Sequence, residues 1–312
     1  MKPTLLVLAA GMGSRYGSLK QMDGIGPDKE AIIDYSIYDA IRAGFGKVVF
    51  VIRGSFGAEF KEVFSPERFG GKIGVEYVFQ ELDSALPVGY TVPEGREKPW
   101  GTNHALMMGA AVINEPFAVI NADDFYGQDA IAQMGKYLAS LPDGSAGEYA
   151  MVGYEVSKTL SENGTVSRGV CTINKQGYLE SIVERTKIVR LPAAEGGGIV
   201  FIDEDGTKHP LAENTPVSMN LFGFTPDYFR HSAEFFRAFL DDAIASGNLK
   251  AEYFIPLLVN RLVENGTAKL KVLHTTSDWF GVTYKEDRPG TVQKVLDLIK
   301  AGVYPQSLWG DK

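Results

Sequence analysis

The stretch LVLAAGMGSRYGSLKQ, residues 6–21, constrains this chain more than any other. An apolar run over 4–9 reads as a first strand, and it stops at the turn Gly11-Met12-Gly13. Small residues let backbone N–H groups come close to an anion, and successive N–H groups in a turn form an anion-binding concavity. Arg15 and Lys20 add full positive charges suited to phosphate oxygens. The loop therefore reads as a grip for a triphosphate. The spacing Gly11-x-Gly13-x-x-x-Gly17 misses the dinucleotide fingerprint by one residue, and no Gly-Lys-Ser/Thr of a P-loop is present. Taken alone, the loop is also compatible with a plain strand-to-helix turn.

The pattern downstream supplies the fold class. Apolar residues Ile32, Ile33, Ile37, Ala40 and Ile41 recur at helical spacing over 31–43, and KVVFVI follows as a strand at 47–52. Further helices are expected at 56–64, 102–113 and 128–140, with strands at 73–79 and 117–121. This alternation predicts an α/β protein with a mostly parallel central sheet and helices on both faces, a Rossmann-like three-layer arrangement. Beyond about residue 148, short strand-like runs at 149–156, 168–174, 178–184, 198–202 and 216–224 predict a mixed β extension. Helices at 226–246, 252–264 and 286–301 and strands at 268–274 and 279–283 complete the chain. Residues 81–99 and 189–197 read as loops.

Composition narrows the partners. A net charge of -8 argues against nucleic acid and anionic membranes. No apolar run is long enough to span a bilayer, and residues 4–10 read as a core strand rather than a signal peptide. The single cysteine, Cys171, leaves no intrachain disulfide and no cysteine-based metal cluster. A cytoplasmic protein is the expectation, with Asn163-Gly-Thr and Asn265-Gly-Thr as turns. The tail 286–312 is free to pack on the core or to join a homo-oligomer.

Two further groupings carry chemistry. Asn121-Ala122-Asp123-Asp124 ends the strand at 117–121, and ligands of open α/β sheets sit beyond the carboxyl ends of strands. Paired carboxylates there suit Mg2+, a hard cation that shares its coordination with substrate phosphates. Capping of the helix near 128 is the alternative reading. Pro99-Trp100-Gly101-Thr102-Asn103-His104-Ala105 opens a helix, where Gly101 and Thr102 either cap or let a base approach the backbone. His104 is a base or a packed core residue, and Trp100, Tyr90 and Trp279 stack on a base or fill the core.

Together these residues resemble the sugar-1-phosphate nucleotidyltransferases over about residues 4–285. The resemblance implies that Ala10, Gly11, Gly13, Arg15 and Lys20 hold a nucleoside triphosphate, with Arg15, Lys20 and Asp123 catalytic. It implies that Gln80, Gly101 and Thr102 face the base and that Asp123 binds Mg2+. Ile182-Val183-Glu184-Arg185 is similar to the family's Glu-Lys pair, with Arg replacing Lys, and VSMNLFGF at 217–224 resembles the strand whose Asn contacts the sugar. Glu184, Arg185 and Asn220 would thus face a phosphorylated small-molecule acceptor. The family's second metal ligand near residues 279–283 falls on Gly281, Val282 and Thr283, so Asp278 is either the substitute ligand or an exposed turn aspartate, with water then filling the place. The implied division is a nucleotide half, 1–147, an acceptor half, 148–285, and a helical tail. A cytidylyltransferase for a non-sugar phosphate such as phosphocholine, a dinucleotide-dependent oxidoreductase and a non-catalytic nucleotide-sugar sensor are the competing readings.

Overall fold

The computed structural model describes residues 1–11, 24–161, 163–281 and 287–310. Gly13, Arg15, Gly17, Lys20, Val282 and Thr283 lie outside the described residues.

The strands are β1 (Thr4–Leu8), β2 (Lys47–Ile52), β3 (Gly74–Phe79), β4 (Phe117–Asn121), β5 (Asp124–Phe125), β6 (Glu148–Glu155), β7 (Val166–Ile173), β8 (Leu179–Arg190), β9 (Ile199–Ile202), β10 (Lys208–Leu211), β11 (Pro216–Phe224), β12 (Lys269–His274) and β13 (Phe280–Gly281). The helices are α1 (Ile32–Arg42), α2 (Gly57–Val63), α3 (Thr102–Met107), α4 (Gln128–Ser140), α5 (Asp227–Ala245), α6 (Ile255–Glu264) and α7 (Asp287–Lys300). One 11-stranded sheet runs in the order β10-β9-β8-β7-β11-β4-β1-β2-β3, with β6 on β11 and β12 on β6. The block β4-β1-β2-β3 is parallel, and antiparallel β11 joins it to the extension β7–β10.

The near-continuous apolar run of β2 follows from burial on both faces, as expected of a central parallel strand. Val48, Phe50 and Ile52 enter one core with Ile33 and Ile37 of α1 and Ile131 and Met134 of α4. Val49 and Val51 enter the other with Leu106 of α3, Phe236 and Leu240 of α5 and Leu258 of α6. A third core joins Ile32 and Tyr35 of α1, Phe125, Phe280, Val295 of α7, Tyr304 and Leu308. The tail thus packs on the domain's own first helix.

Three local departures from the sequence reading have simple causes. The helix expected at 102–113 tightens to a 3-10 turn at Met108–Ala111, where a Cβ at Gly109 would press on Ile113 at 3.0 Å and on Leu6 at 3.4 Å. Strand β8 runs past 184 to Arg190 because its far half finds β9 as a partner. Strands β5 and β10 are too short, two and four residues, to leave a readable alternation.

Candidate active site

The parallel strands end together. Ala10 and Gly11 follow β1, Arg53 follows β2, Gln80 follows β3, and Asn121 and Asp123 close β4. All of them line one cleft of about 330 Å³, with Lys98, Gly101, Thr102 and Glu252 on its far wall. A second cleft, about 210 Å³, is lined by Asn121, Asp124, Arg168, Glu184, Asn220 and Trp279, among others. The two adjoin at the end of β4: Asn121 borders both, Asp123 faces the first and Asp124 the second.

Each wall has a structural reason. Gly101 has φ of 102°, and a Cβ there would meet the backbone N and O of Tyr253 at 2.9 and 3.0 Å. The Asn103 N–H donates to Tyr253 O at 2.8 Å, so the start of α3 is clasped to the segment before α6. The loop 81–99 is pinned as well. Trp100, 1% exposed, donates Nε1–H to Leu82 O at 3.0 Å, and the Arg96 guanidinium lies 3.5 Å from its ring centroid. Trp100 is therefore a core residue, while Lys98 and Pro99 carry the end of the loop into the first cleft.

His104 is fully buried, and desolvation pushes its pKa down to about 4. It does not line the cleft and is packed rather than positioned as a base. The capping alternative for Asp123 and Asp124 also fails, since α4 has Gly127 at its N-cap with no side-chain cap. Asp124 instead accepts from Asn121 Nδ2 at 2.9 Å. The Tyr126 hydroxyl, fully buried, lies 3.3 Å from Asp124 Oδ2 and donates to Met219 O at 3.0 Å, tying the end of β4 to β11. Burial drives the Tyr126 pKa well above its ordinary value.

In the second cleft, Arg168 is the cation. Its guanidinium donates to Ser167 O at 2.7 Å and to Thr159 O, and sits 4.7 Å from the Trp279 ring centroid. Desolvation lowers its pKa to about 10, which leaves it charged at neutral pH, and Asp124 and Glu184 act against that shift. The Glu184 carboxyl is raised by partial desolvation, and Arg168 opposes the rise.

The structure thus brings together Ala10, Gly11, Gln80, Gly101, Thr102 and Asp123 in one cleft and Glu184 and Asn220 in the other. Two of the expected residues lie outside the linings of these clefts. Arg185 does not line the second cleft; its guanidinium lies over Phe201 at 4.5 Å, drawn there by the ring face. Asp278 is exposed and lines a different recess, with Gly127, Ser277 and Tyr304. Nearer the two clefts, Gly281 of β13 pairs with Asp124, and a Cβ at 281 would meet Asp124 Oδ1 at 2.8 Å. The Asp124 carboxylate occupies the space that a side chain at 281 would fill. Sequence reasoning missed Arg53, Lys98, Glu252 and Arg168. Arg53 was within reach, because it directly follows a parallel strand. Arg168 was not, because its place depends on β7 pairing with β8.

A mixed sheet whose parallel half ends in adjoining clefts defines the class to which this fold belongs. Within that class, the chain is similar to a UDP-glucose pyrophosphorylase whose crystal structure is complexed with UDP-glucose. The TM-score is 0.59 at 19% identity, over 95% of this chain and 99% of that one. It is also similar to an inositol-1-phosphate CTP transferase from T. maritima, with a TM-score of 0.59 at 12% identity over 96% and 97%. No protein-family model matches the chain, and no curated protein does.

Proposed function

We propose that the protein transfers a nucleoside monophosphate from a nucleoside triphosphate to a sugar-1-phosphate, releasing pyrophosphate. The observation that carries this reading is the contact of the two clefts across residues 121–124. A donor and an acceptor bound side by side would meet there, one in the nucleotide half and one in the acceptor half. An acceptor phosphate oxygen forms the new bond to the α-phosphorus. The bond from the α-phosphorus to the oxygen bridging it to the β-phosphate breaks, and pyrophosphate leaves with that electron pair. The acceptor is already anionic near neutral pH, so no protein base is needed, and catalysis is positioning and charge neutralisation.

In this reading Ala10, Gly11, Gly13 and Arg15 hold the triphosphate and Lys20 neutralises charge at the α-phosphate. Gln80, Gly101 and Thr102 face the base. Glu184, Asn220 and Arg168 face the acceptor, with Arg168 taking the part expected of Arg185. The donor set fits a hard divalent cation. Asp123 and Asp124 offer carboxylate oxygens at the junction, and no group of three or more His, Cys, Asp or Glu suited to a metal is found among the described residues. Such a site is completed by substrate phosphates and water, as Mg2+ sites commonly are. Mg2+ bound there would supply charge neutralisation to the phosphates; Asp123 would hold it, with Asp124 beside it, and Asp278 has no part. No helix among the described residues is long and apolar enough to cross a membrane, and we read the protein as a cytoplasmic enzyme.

The test is a pyrophosphate-release screen of four NTPs against sugar-1-phosphates and phosphocholine, with Mg2+ present. Turnover with one sugar-1-phosphate is expected, and Lys20→Ala or Asp123→Ala should lower kcat by about a hundredfold or more with an unchanged far-UV spectrum. Release only with phosphocholine would move the acceptor outside the sugars. No release with any pair would overturn the catalytic reading.

A further inference from the structure

Two backbone carbonyls, Ser84 O and that of the cleft-lining Gly101, fix a chain of hydrogen bonds. His104 Nε2 lies 2.7 Å from Ser84 O. A carbonyl oxygen only accepts, so Nε2 carries the hydrogen. The ring is fully buried and its pKa is held near 4, so at neutral pH Nδ1 keeps a lone pair. Gln80 Nε2 stands 3.0 Å from that Nδ1 and 3.1 Å from Gly101 O. Both hydrogens of the Gln80 amide nitrogen are therefore committed, one to an imidazole lone pair and one to a carbonyl. Reversing the amide would set Oε1 against two acceptors. Gln80 lines the cleft, and no described residue donates to its Oε1, which is also absent from the buried polar atoms that lack a partner.

We propose that His104 is a positioning residue that locks the Gln80 amide, so that the cleft offers the nucleobase a carbonyl acceptor and never a donor at that point. The inference rests on reading the first cleft as the nucleotide site. An unlocked glutamine can turn to suit either a base donor or a base acceptor. A locked one rewards only a base that presents an N–H there, and it leaves an acceptor–acceptor clash for one that does not. His104 thereby sets base preference without touching the base.

The test uses the full-length protein and binding of the four NTPs by calorimetry. The wild type is expected to prefer one base. His104→Leu removes both hydrogen bonds, and the ratio of dissociation constants between the best and worst NTP should shrink by about tenfold or more. His104→Asn keeps an acceptor near the Nδ1 position and should hold the ratio within about threefold of wild type. Nitrogen-15 spectra of the wild-type imidazole, which need no variant to fold, should show the Nε2–H tautomer. A wild type that binds no NTP overturns the nucleotide reading of the cleft. A wild type with a base preference that His104→Leu retains, or an Nδ1–H tautomer, overturns the lock while leaving that reading intact.

Discussion

Asn220 has φ of 63°, in the left-handed region that L side chains other than Asn and Asp rarely enter. It sits where the register of β11 against β6 shifts between Ser218 and Phe222. The neighbouring Met219 carbonyl is held by the Tyr126 hydroxyl, and Tyr126 O in turn accepts from the Tyr154 hydroxyl at 2.8 Å. Two fully buried tyrosines therefore impose the bend that brings Asn220 into the second cleft. Arg168 stands across that cleft with its charge fixed by carbonyls and the Trp279 ring. A charge-assisted hydrogen bond is worth about 1.5–3 kcal/mol, or roughly ten- to a hundredfold in binding. Arg168→Met should accordingly raise the acceptor KM by about tenfold or more while the NTP KM stays within about threefold. Arg168→Lys should recover part of the loss by keeping the charge. Initial rates at varied acceptor and NTP separate the two constants, and equal rises in both would count against an acceptor role. Arg185→Met, over Phe201, should leave both constants near wild type.

At the scale of elements, Gly101 shows what the sequence could and could not reveal. Its place before a helix made it a candidate for base contact, yet its positive φ and the backbone of Tyr253 already require glycine. Gly101→Ala should cost roughly 2 kcal/mol or more through strain and displacement of that clasp. Urea denaturation checks the loss, and an unchanged midpoint would show that the clasp gives way freely. The parallel block was legible because β1, β2 and β4 are buried on both faces and read as unbroken apolar runs. Asp123 was legible for a related reason, since it lies just past such a strand, whereas Gln80 follows the partly exposed β3 and was legible only through the family resemblance. The antiparallel extension was legible only as strands. Which residue of β7 stands opposite which residue of β8 depends on register, and the register places Arg168 beside Arg185 and Gly169 beside Glu184. A sequence has no marker for that register, nor for the ring of Phe201 that draws Arg185 aside. The space beside Gly281 was equally hidden, because it is filled by Asp124 from a strand of two residues.

Across the whole molecule, the tail is joined to the first helix through a buried carboxyl. Asp39 of α1, 2% exposed, accepts from the Tyr304 hydroxyl at 2.6 Å, and Arg42 stands 3.8 Å from its other oxygen while donating to Val303 O. Desolvation raises the Asp39 pKa from 3.8 to about 7, although the Tyr304 hydrogen bond and Arg42 both act to lower it. The sign of the consequence follows from proton counting. Below the unfolded value both states hold the proton, and the contribution to stability is complete. As the pH rises from 3.8 toward 7, the unfolded chain has released the proton while the folded chain retains it. Stability then falls by about 1.4 kcal/mol per pH unit, and the loss is complete above the folded pKa. Asp39→Asn keeps an oxygen for the Tyr304 hydroxyl and removes the titration. Urea unfolding of both proteins at about pH 5 and about pH 8 should show the wild type losing on the order of 2 kcal/mol more than the variant between those conditions. The variant should be the more stable of the two at the higher pH. Parallel losses in the two proteins would mean that Asp39 is ionised in the folded state across this range, and that Arg42 and Tyr304 together offset its burial.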